Sequence, residues 1–319
     1  MTIKTLKAAV IGVGYLGHFH AQKYAQLDGV ELIAVVDTDS QRADEVAAKV
    51  GARAETDFKA ILGDVDLVSI VVPPARHFPI AHACLSAGVH ALVEKPLTET
   101  VDQAQTLIEV ARREDLALQV GHLERFNPVT SWLHEQVGVP TRFEAQRFAP
   151  YKKRGTEVDV VLDLMIHDID LVLSLVDSPV RQMHCSGTAV VTTDIDIAQA
   201  RLEFENGCVA ELSASRVSQQ PSRSMKVFEQ DEYVLVDFMN HELRRGNEAH
   251  DREEIVDGGL TAGGDVLMSE IASFVDTVRS GGAPRVTGED GKRALEVAIG
   301  VSQRIKRYRA EIVVPDVED

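Results

Sequence analysis

The apolar segment 161–170 carries a histidine and two carboxylates. Asp163 and His167 are four residues apart, and Asp170 follows three residues later. A helix with this spacing places the three side chains on one face, where they are costly to bury unless they pair with each other or with a ligand. For His167 alone, a hydrogen-bonded core histidine is the simpler interpretation. Because an imidazole titrates near neutral pH, the pair predicts a catalytic general base oriented by Asp163.

A lysine follows one of the apolar runs. Lys95 stands in Glu94-Lys95-Pro96, directly after residues 89–93. Ligands of an open parallel sheet bind outside the carboxyl ends of its strands, and the proline fixes the local backbone. An ammonium there can stabilise a developing alkoxide oxygen. For Lys95 alone, a lysine that only faces solvent is the simpler interpretation.

A glycine-rich turn follows the first apolar run, residues 6–11. Gly12 permits a tight turn, Gly14 lets a pyrophosphate approach the backbone, and Gly17 lets the next helix pack against the strand. A second apolar run ends at Asp37, about 20 residues past the last glycine, which completes a dinucleotide-binding pattern. The residues expected to bind the phosphates at the helix N-terminus are Gly12, Gly14, Tyr15, Leu16 and Gly17. The alternative is a βαβ unit whose glycines only make turns.

Asp37 bears on the choice between two nicotinamide dinucleotides. Its carboxylate would accept hydrogen bonds from ribose hydroxyls and repel a 2′-phosphate, so the pattern favours NAD over NADP. Arg42 keeps NADP open, because it could pair with that phosphate if the loop turns it inward.

The first part of the chain alternates apolar runs with helical periods. The predicted strands are 6–11, 30–36, 67–72, 89–93 and 116–120, and the predicted helices are 16–27, 40–50, 58–62, 80–87 and 101–113. Ser40 and Thr100 are the expected N-caps. Strands so uniformly apolar are buried on both faces, which predicts an α/β domain with a doubly wound parallel sheet, a Rossmann domain, over residues 1–122.

After Gly121 the pattern changes. A helix is predicted to start at Asn127-Pro128, a strand spans 141–148, a helix spans 158–176, and the chain alternates as antiparallel strands do from Arg181 onward. Two helices, 265–279 and 289–309, follow. Residues 123–319 are thus predicted to form an α+β domain with an open-faced, mainly antiparallel sheet. Its outer face is either solvated or a subunit interface, and we expect the interface, in a homodimer or homotetramer.

The composition argues against several classes of protein. A formal net charge of −17 disfavours nucleic acid as a partner. Cys84, Cys185 and Cys208 have neither disulfide nor zinc spacing, which is typical of a reducing cytoplasm, and we predict no catalytic metal. No apolar stretch approaches the length of a membrane span, so no membrane partner or secretory signal is expected.

Three motifs stand in the order and approximate spacing of one known family: Gly12-x-Gly14-x-x-Gly17, Glu94-Lys95-Pro96 and Asp163-x-x-x-His167. The chain resembles the glucose-fructose oxidoreductase / inositol dehydrogenase / MocA family over essentially its whole length. The resemblance implies an NAD(P)-dependent sugar or polyol oxidoreductase, whose nicotinamide lies between a Rossmann domain and an open-faced sheet domain. It also implies a Lys-Pro bond that is often cis and a catalytic set of Lys95, Asp163 and His167.

The resemblance also extends to the cofactor contacts. Those expected beyond the glycine loop and Asp37 are Pro73, His77, Glu94, Lys95 and Pro96. The segment 71–77 departs from many relatives, which have a threonine near the proline, so a hydroxyl contact to the cofactor is not expected here.

The segment 120–128 resembles the family members that oxidise UDP-linked N-acetylamino sugars at C3. Arg125 and Asn127 follow a strand end and are expected to reach the substrate; the alternative is a structural ion pair for Arg125 and a helix cap for Asn127. Lys152 and Arg154 belong to the one dense basic run and either hold an anionic substrate group or face solvent. The other readings are an inositol or free-sugar dehydrogenase and a non-catalytic NAD-binding regulator.

Overall fold

The computed structural model describes residues 5–152, 156–240, 242–247, 252–256 and 264–311. The chain divides into two compact units. The first comprises Met1–Phe126 and Gly264–Lys292, and the second comprises Asn127–Gly263 and Arg293–Asp319. None of the helices in the described ranges is both long enough and apolar enough to cross a membrane.

A six-stranded parallel sheet forms the centre of the first unit. Its strands are β1 (Leu6–Ile11), β2 (Val30–Val36), β3 (Arg53–Glu55), β4 (Leu67–Ile70), β5 (His90–Glu94) and β6 (Leu118–Gly121). Their order, β3-β2-β1-β4-β5-β6, is that of a dinucleotide-binding fold. The predicted doubly wound sheet is confirmed. Strand β3 was not predicted, because three residues of mixed polarity leave no apolar run.

The helices of the described residues are α1 (Gly17–Gln26), α2 (Ser40–Val50), α3 (His77–Ser86), α4 (Val101–Arg113), α5 (Pro128–Gln136), α6 (Ile166–Leu175), α7 (Val266–Ser280) and α8 (Gly288–Glu311). Of the two predicted N-caps, Thr100 is confirmed and Ser40 is wrong. Thr100 accepts a hydrogen bond from the N–H of Gln103 and caps α4 as expected. Helix α2 is capped by Asp39 and not by Ser40, because the Asp39 carboxylate accepts from the N–H of Arg42.

The division into units differs from the predicted boundary between residues 122 and 123. The first unit ends four residues later and also takes in α7. Ile271 and Phe274 of α7 are fully buried in the same apolar core as Ala21 and Tyr24 of α1. An amphipathic pattern shows that a helix has a buried face, but it does not show which core that face joins.

An eight-stranded sheet forms the second unit. Its strands are β7 (Arg142–Phe148), β8 (Val180–Thr188), β9 (Ile197–Phe204), β10 (Val209–Ser215), β11 (Ser222–Phe228), β12 (Tyr233–Asp237), β13 (Glu242–Asn247) and β14 (Arg252–Ile255). The order is β14-β13-β12-β11-β7-β10-β9-β8, and only β7 and β10 are parallel neighbours. The predicted mainly antiparallel sheet is confirmed.

The two faces of this sheet differ in polarity. Side chains such as Phe143 and Phe204 point to the inner face and share one apolar core with Ile169 of α6 and Ile305 of α8. The outer face carries ion pairs, for example Arg201 with Glu211 at 2.7 Å. The homo-oligomer expected through this face stays a prediction.

Candidate active site

Four strand ends lie side by side at one edge of the six-stranded sheet. Ile11 of β1 pairs with Val36 of β2 and with Ile70 of β4, and Ile70 pairs with Val93 of β5. The segments that follow these strands are therefore neighbours, at the edge where such folds bind ligands. All the predicted cofactor residues lie here: Gly12, Gly14, Tyr15, Leu16, Gly17, Asp37, Pro73, His77, Glu94, Lys95 and Pro96.

The three glycines of the loop differ in the space around them. Gly12 has a φ of +86°, and a Cβ there would collide with the carbonyl oxygen of Val71. A Cβ on Gly17 would collide with the carbonyl oxygen of Gly12. A Cβ on Gly14, by contrast, would meet no described atom within 4 Å. The packing of the protein therefore requires Gly12 and Gly17, whereas Gly14 borders open space, which fits a phosphate approaching the backbone.

Asp37 is held rigidly at the end of β2. Its Oδ2 accepts from the N–H of Val13 at 3.0 Å, and its Oδ1 accepts from the N–H of Asp39 at 3.0 Å. Arg42 Nη1 donates to both oxygens of Asp37 at 3.2 Å, and Arg42 Nη2 donates to Asp39 at 3.1 Å. Arg42, which could pair with the 2′-phosphate of NADP if it were available, is thus paired with two carboxylates.

Lys95 follows β5 and is half-buried. The Lys95-Pro96 peptide bond is cis, as the resemblance implies. The backbone N–H of Lys95 donates to Glu94 Oε2 at 3.3 Å. Gly121 of β6 lies opposite Glu94, and a Cβ there would be 2.9 Å from the carboxyl carbon of Glu94. The Glu94 carboxylate therefore fills the space that a side chain at position 121 would need.

Both ring nitrogens of His77, for which a cofactor contact stays a prediction, lie close to backbone carbonyl oxygens. Its Nε2 lies 2.8 Å from the carbonyl oxygen of Val72, and its Nδ1 lies 2.8 Å from that of Pro96. Burial lowers the pKa of His77, against the opposing effect of these two hydrogen bonds. The imidazole thus joins the loop after β4 to the loop after β5. Sequence reasoning placed the residue at the right edge but could not show that both nitrogens are occupied.

One group of three possible metal ligands has its donor atoms within 4.8 Å of one another in the described part of the chain: His20, Glu94 and Glu270. Sequence reasoning did not single out Glu270 as a functional residue. Both His20 and Glu270 are fully buried. Three donors close together do not by themselves make a metal site, and the absence of a catalytic metal stays a prediction.

Asp163 and His167 lie where the backbone departs from a regular helix. Val161–Met165 form one π-helical turn that continues into α6, so the predicted helix exists but is interrupted between the two residues. The carboxylate of Asp159 starts this turn by accepting from the N–H groups of Val161 and Leu162. Such turns are frequent at functional sites. Both Asp163 and His167 are half-buried.

Two buried arginines that the sequence reasoning missed stand beside this helix. Arg216 Nη2 lies 3.8 Å from Asp163 Oδ2 and donates to the carbonyl oxygen of Val158 at 2.7 Å. Arg147 forms a forked ion pair with Asp168, with its shortest contact at 2.8 Å. A signal existed for Arg147, because it occupies the inward-facing position of β7 two residues after Ala145. An arginine there needs a buried acid as its partner.

The remaining predicted substrate residues have contacts within their own units. Arg125 Nη2 lies 3.7 Å from Asp290 Oδ1, and Asn127 accepts from the N–H of Val129 and caps α5. These are the contacts of the alternative reading, an ion pair and a cap. Lys152 is exposed, and Arg154 lies outside the described residues. Substrate binding by these four stays a prediction.

Comparison with known proteins places the chain in a family. Residues 6–122 match the model of an oxidoreductase family with an NAD-binding Rossmann fold, and residues 133–233 match the GFO/IDH/MocA C-terminal domain. UDP-N-acetylglucosamine 3-dehydrogenase from Acidithiobacillus ferrooxidans is 40% identical over 95% of this chain and 98% of its own length. Its solved structure has a TM-score of 0.90 and covers 96% of this chain and 99% of that one.

More distant relatives match nearly the whole chain. Myo-inositol 2-dehydrogenase from Thermotoga maritima is 26% identical over 96% of this chain and 98% of its own length. Scyllo-inositol dehydrogenase from Lactobacillus casei, solved with NAD(H) and scyllo-inositol, is 20% identical, covers 96% of this chain and 98% of its own, and shares the fold with a TM-score of 0.82. The chain belongs to the glucose-fructose oxidoreductase / inositol dehydrogenase / MocA family, and its first unit is the NAD-binding Rossmann domain of an oxidoreductase that acts on CH–OH groups.

Proposed function

We propose that this protein oxidises the C3 hydroxyl of a UDP-N-acetylhexosamine with NAD as the oxidant. The observation that carries the proposal is the 40% identity, over nearly the full length of both chains, to a UDP-N-acetylglucosamine 3-dehydrogenase. Inositol dehydrogenases that match nearly the whole chain are 25 to 26% identical to it. Those relatives favour a second candidate, oxidation of an inositol or a free sugar, on the same scaffold.

The contacts of Asp37 support NAD over NADP. Its carboxylate stands at the end of β2, where an acidic residue accepts hydrogen bonds from ribose hydroxyls. A 2′-phosphate beside it would meet a like charge. Arg42, the cation that could offset this repulsion, is held by Asp37 and Asp39. The glycine loop would hold the pyrophosphate, since Gly14 borders open space.

Three side chains have roles in the proposed chemistry. A ring nitrogen of His167 takes the proton of the substrate hydroxyl, because an imidazole titrates near neutral pH. The Lys95 ammonium stabilises the negative charge that develops on the same oxygen. Asp163, which lies 3.8 Å from Arg216, orients the imidazole or a neighbouring hydroxyl. The cofactor, when bound, supplies the redox chemistry by accepting the hydride from C3.

Single variants test these roles. Lys95→Ala and His167→Ala should each lower kcat at least about a hundredfold, because each removes a group that acts on the reacting oxygen. The affinity for NAD, measured by titration, should stay within about threefold in His167→Ala, since that residue is not among the proposed cofactor contacts. Lys49→Ala, at an exposed position on α2 with no proposed role, is the matched control for the loss of a positive charge. Unchanged turnover in both active-site variants would reject the assignment.

A ligand screen separates the two candidate substrates. A ligand that binds the folded state raises the unfolding temperature, so UDP-N-acetylhexosamines, inositols and hexoses are compared with NAD present. The proposal expects the largest shift from a UDP-N-acetylhexosamine. Charge reversal at Lys152 and Arg154 should then raise KM for the nucleotide sugar and leave that for inositol unchanged. A shift with NAD but with no sugar would favour the non-catalytic regulator.

A further inference from the structure

Three ionisable side chains from separate elements meet inside the first unit. His20 lies on α1, Glu94 ends β5, and Glu270 lies on α7. Their donor atoms lie within 4.8 Å of one another, and His20 and Glu270 have no exposed surface. Groups this close and this buried determine each other's charge.

The two carboxylates of the cluster have different partners. Glu94 Oε1 lies 3.3 Å from His20 Nε2, and Glu94 Oε2 accepts from the backbone N–H of Lys95. Both carboxylate oxygens of Glu270 lack a hydrogen-bond partner among the residues that the structure describes. A buried carboxylate without a donor is strongly destabilised in its charged form. Glu270 therefore needs either a proton of its own or a bound cation.

A proton on Glu270 satisfies both the charge and the hydrogen bonds. Two ionised carboxylates beside a single imidazole would leave a net negative charge in the interior in either state of the ring, and a proton on one carboxylate removes one of those charges. The acid O–H also becomes a donor, and the carboxylate of Glu94, with an oxygen within 4.8 Å, is the acceptor that the cluster offers. Two carboxyl groups that share a site commonly hold one proton between them in this way.

The pKa directions agree with this arrangement. Burial, and then the charge of Glu94, raise the pKa of Glu270 well above its usual value. Burial alone would raise the pKa of Glu94, but His20, Lys95 and His77 together hold it below its usual value. Tyr24, the other titratable neighbour of Glu270, is hydrogen-bonded to Ser69, and burial raises its pKa, so it adds no charge.

We propose that His20, Glu94 and Glu270 form a proton-sharing triad, in which the imidazole of His20 pairs with Glu94 and un-ionised Glu270 donates its O–H to the same carboxylate. Glu94 is then a positioning residue. Its carboxylate is held by α1 and by α7, and it in turn holds the backbone N–H of Lys95. Since α1 begins at the glycine loop, the triad joins the dinucleotide-binding loop to the segment that carries Lys95. Only this consequence for Lys95 rests on the proposed function.

Infrared spectroscopy tests the protonation of Glu270 directly. Protein labelled with carbon-13 at the glutamate carboxyls should show the C=O band of an un-ionised acid at neutral pH, and the band should shift in deuterium oxide. The band should disappear in Glu270→Gln and remain in Glu296→Gln, a matched exposed control on α8. A wild-type spectrum without the band, or a band that persists in Glu270→Gln, would overturn the triad. No substrate is needed, so a failure of the proposed oxidation leaves this result standing.

Metal analysis decides between a proton and a cation. The triad expects less than about one-tenth of a metal equivalent per chain in purified protein, and no change in unfolding temperature on adding zinc or on adding a chelator. One equivalent of zinc, lost in Glu270→Gln, would replace the proposal with a metal site.

Hydrogen exchange tests the positioning of Lys95. Glu270→Ala removes the donor to Glu94, so exchange in the peptide that contains residues 94–98 should speed up roughly tenfold. Glu270→Gln keeps a neutral side chain with N–H donors and should restore the wild-type rate within about twofold. Equal acceleration in both variants, or in neither, would show that the triad does not position this segment.

Discussion

The two units differ in what neutralises a buried acid. In the second unit Arg147 pairs with Asp168, whereas in the first unit His20 lies beside Glu94 and Glu270. The arginine meets its carboxylate through contacts of 2.8 to 3.2 Å, and both side chains are 4% exposed. In the first unit, a single imidazole lies beside two carboxylates. An arginine stays charged across the pH range in which proteins are folded, whereas an acid neutralised by a proton responds to pH. Burial alone therefore does not tell whether a carboxylate is charged.

The largest effect is expected at the permanent ion pair. Arg147→Met leaves Asp168 buried without its cation and should lower the free energy of unfolding by about 3–5 kcal/mol. Urea unfolding, followed by the fluorescence of Trp132, measures this loss. Trp132 packs against the apolar core of the second unit. The double variant Arg147→Met/Asp168→Leu should recover most of the loss. A single-variant cost below about 1 kcal/mol would remove the contrast between the units.

Glu270 should respond to pH in the direction set by its raised pKa. Its stabilising contribution is complete below the unfolded value of 4.5 and is lost as pH rises through the folded value. Glu270→Gln does not titrate, so its free energy of unfolding relative to wild type should rise with pH above about 4.5, by at most about 1.4 kcal/mol per pH unit. Urea unfolding followed by circular dichroism measures the difference. A difference that stays constant over this range would mean that Glu270 is ionised in the folded protein.

Asp196 of the second unit should respond to pH with the opposite sign. Burial would raise the pKa of Asp196, but the hydroxyl of Thr192 and the N–H groups of residues 190–192 hold it at about 2. The resulting stability is present above the unfolded value of 3.8 and is lost as pH falls through about 2. Asp196→Asn should therefore cost roughly 1–2 kcal/mol at neutral pH and much less in acid. A cost that does not change with pH would contradict the backbone donors as its cause.

An exposed ion pair is the smallest expected effect and the control for burial. Arg53 lies 3.0 Å from Asp64, and both side chains are about half exposed. Arg53→Met should change the free energy of unfolding by less than about 0.5 kcal/mol, because water and salt screen the pair. Urea unfolding at low and high salt measures it. A cost comparable to that of Arg147→Met would show that pairing, and not burial, sets these energies.

The sequence predicted features whose residues are close together in the chain. Gly12, Gly17 and Asp37 belong to one strand, turn and helix, and Lys95 follows a strand that is apolar throughout, so local patterns located the edge of the first sheet. The pair Asp163 and His167 was found from its spacing. The π-helical turn between them was not, because an apolar pattern does not reveal how many residues a single turn contains.

Features assembled from separate elements were not predictable in this way. His20, Glu94 and Glu270 come from a helix, a strand and a second helix far along the chain, and no spacing rule connects them. The same holds for α7, whose apolar face fits either unit as far as the sequence shows. The two hydrogen bonds of His77 depend on carbonyl groups of two different loops, and a sequence contains no information on where such carbonyls point.

The central claim, oxidation of a UDP-N-acetylhexosamine at C3, is tested most directly by identifying the product. The protein is incubated with NAD and UDP-N-acetylglucosamine, with hydrazine present to trap the ketone, and NADH formation is followed by absorbance. The account predicts one NADH per trapped product, a carbonyl at C3 by nuclear magnetic resonance, and at least about a hundredfold less product with Lys95→Ala. Turnover of inositol, together with no turnover of any UDP-N-acetylhexosamine, would contradict this account.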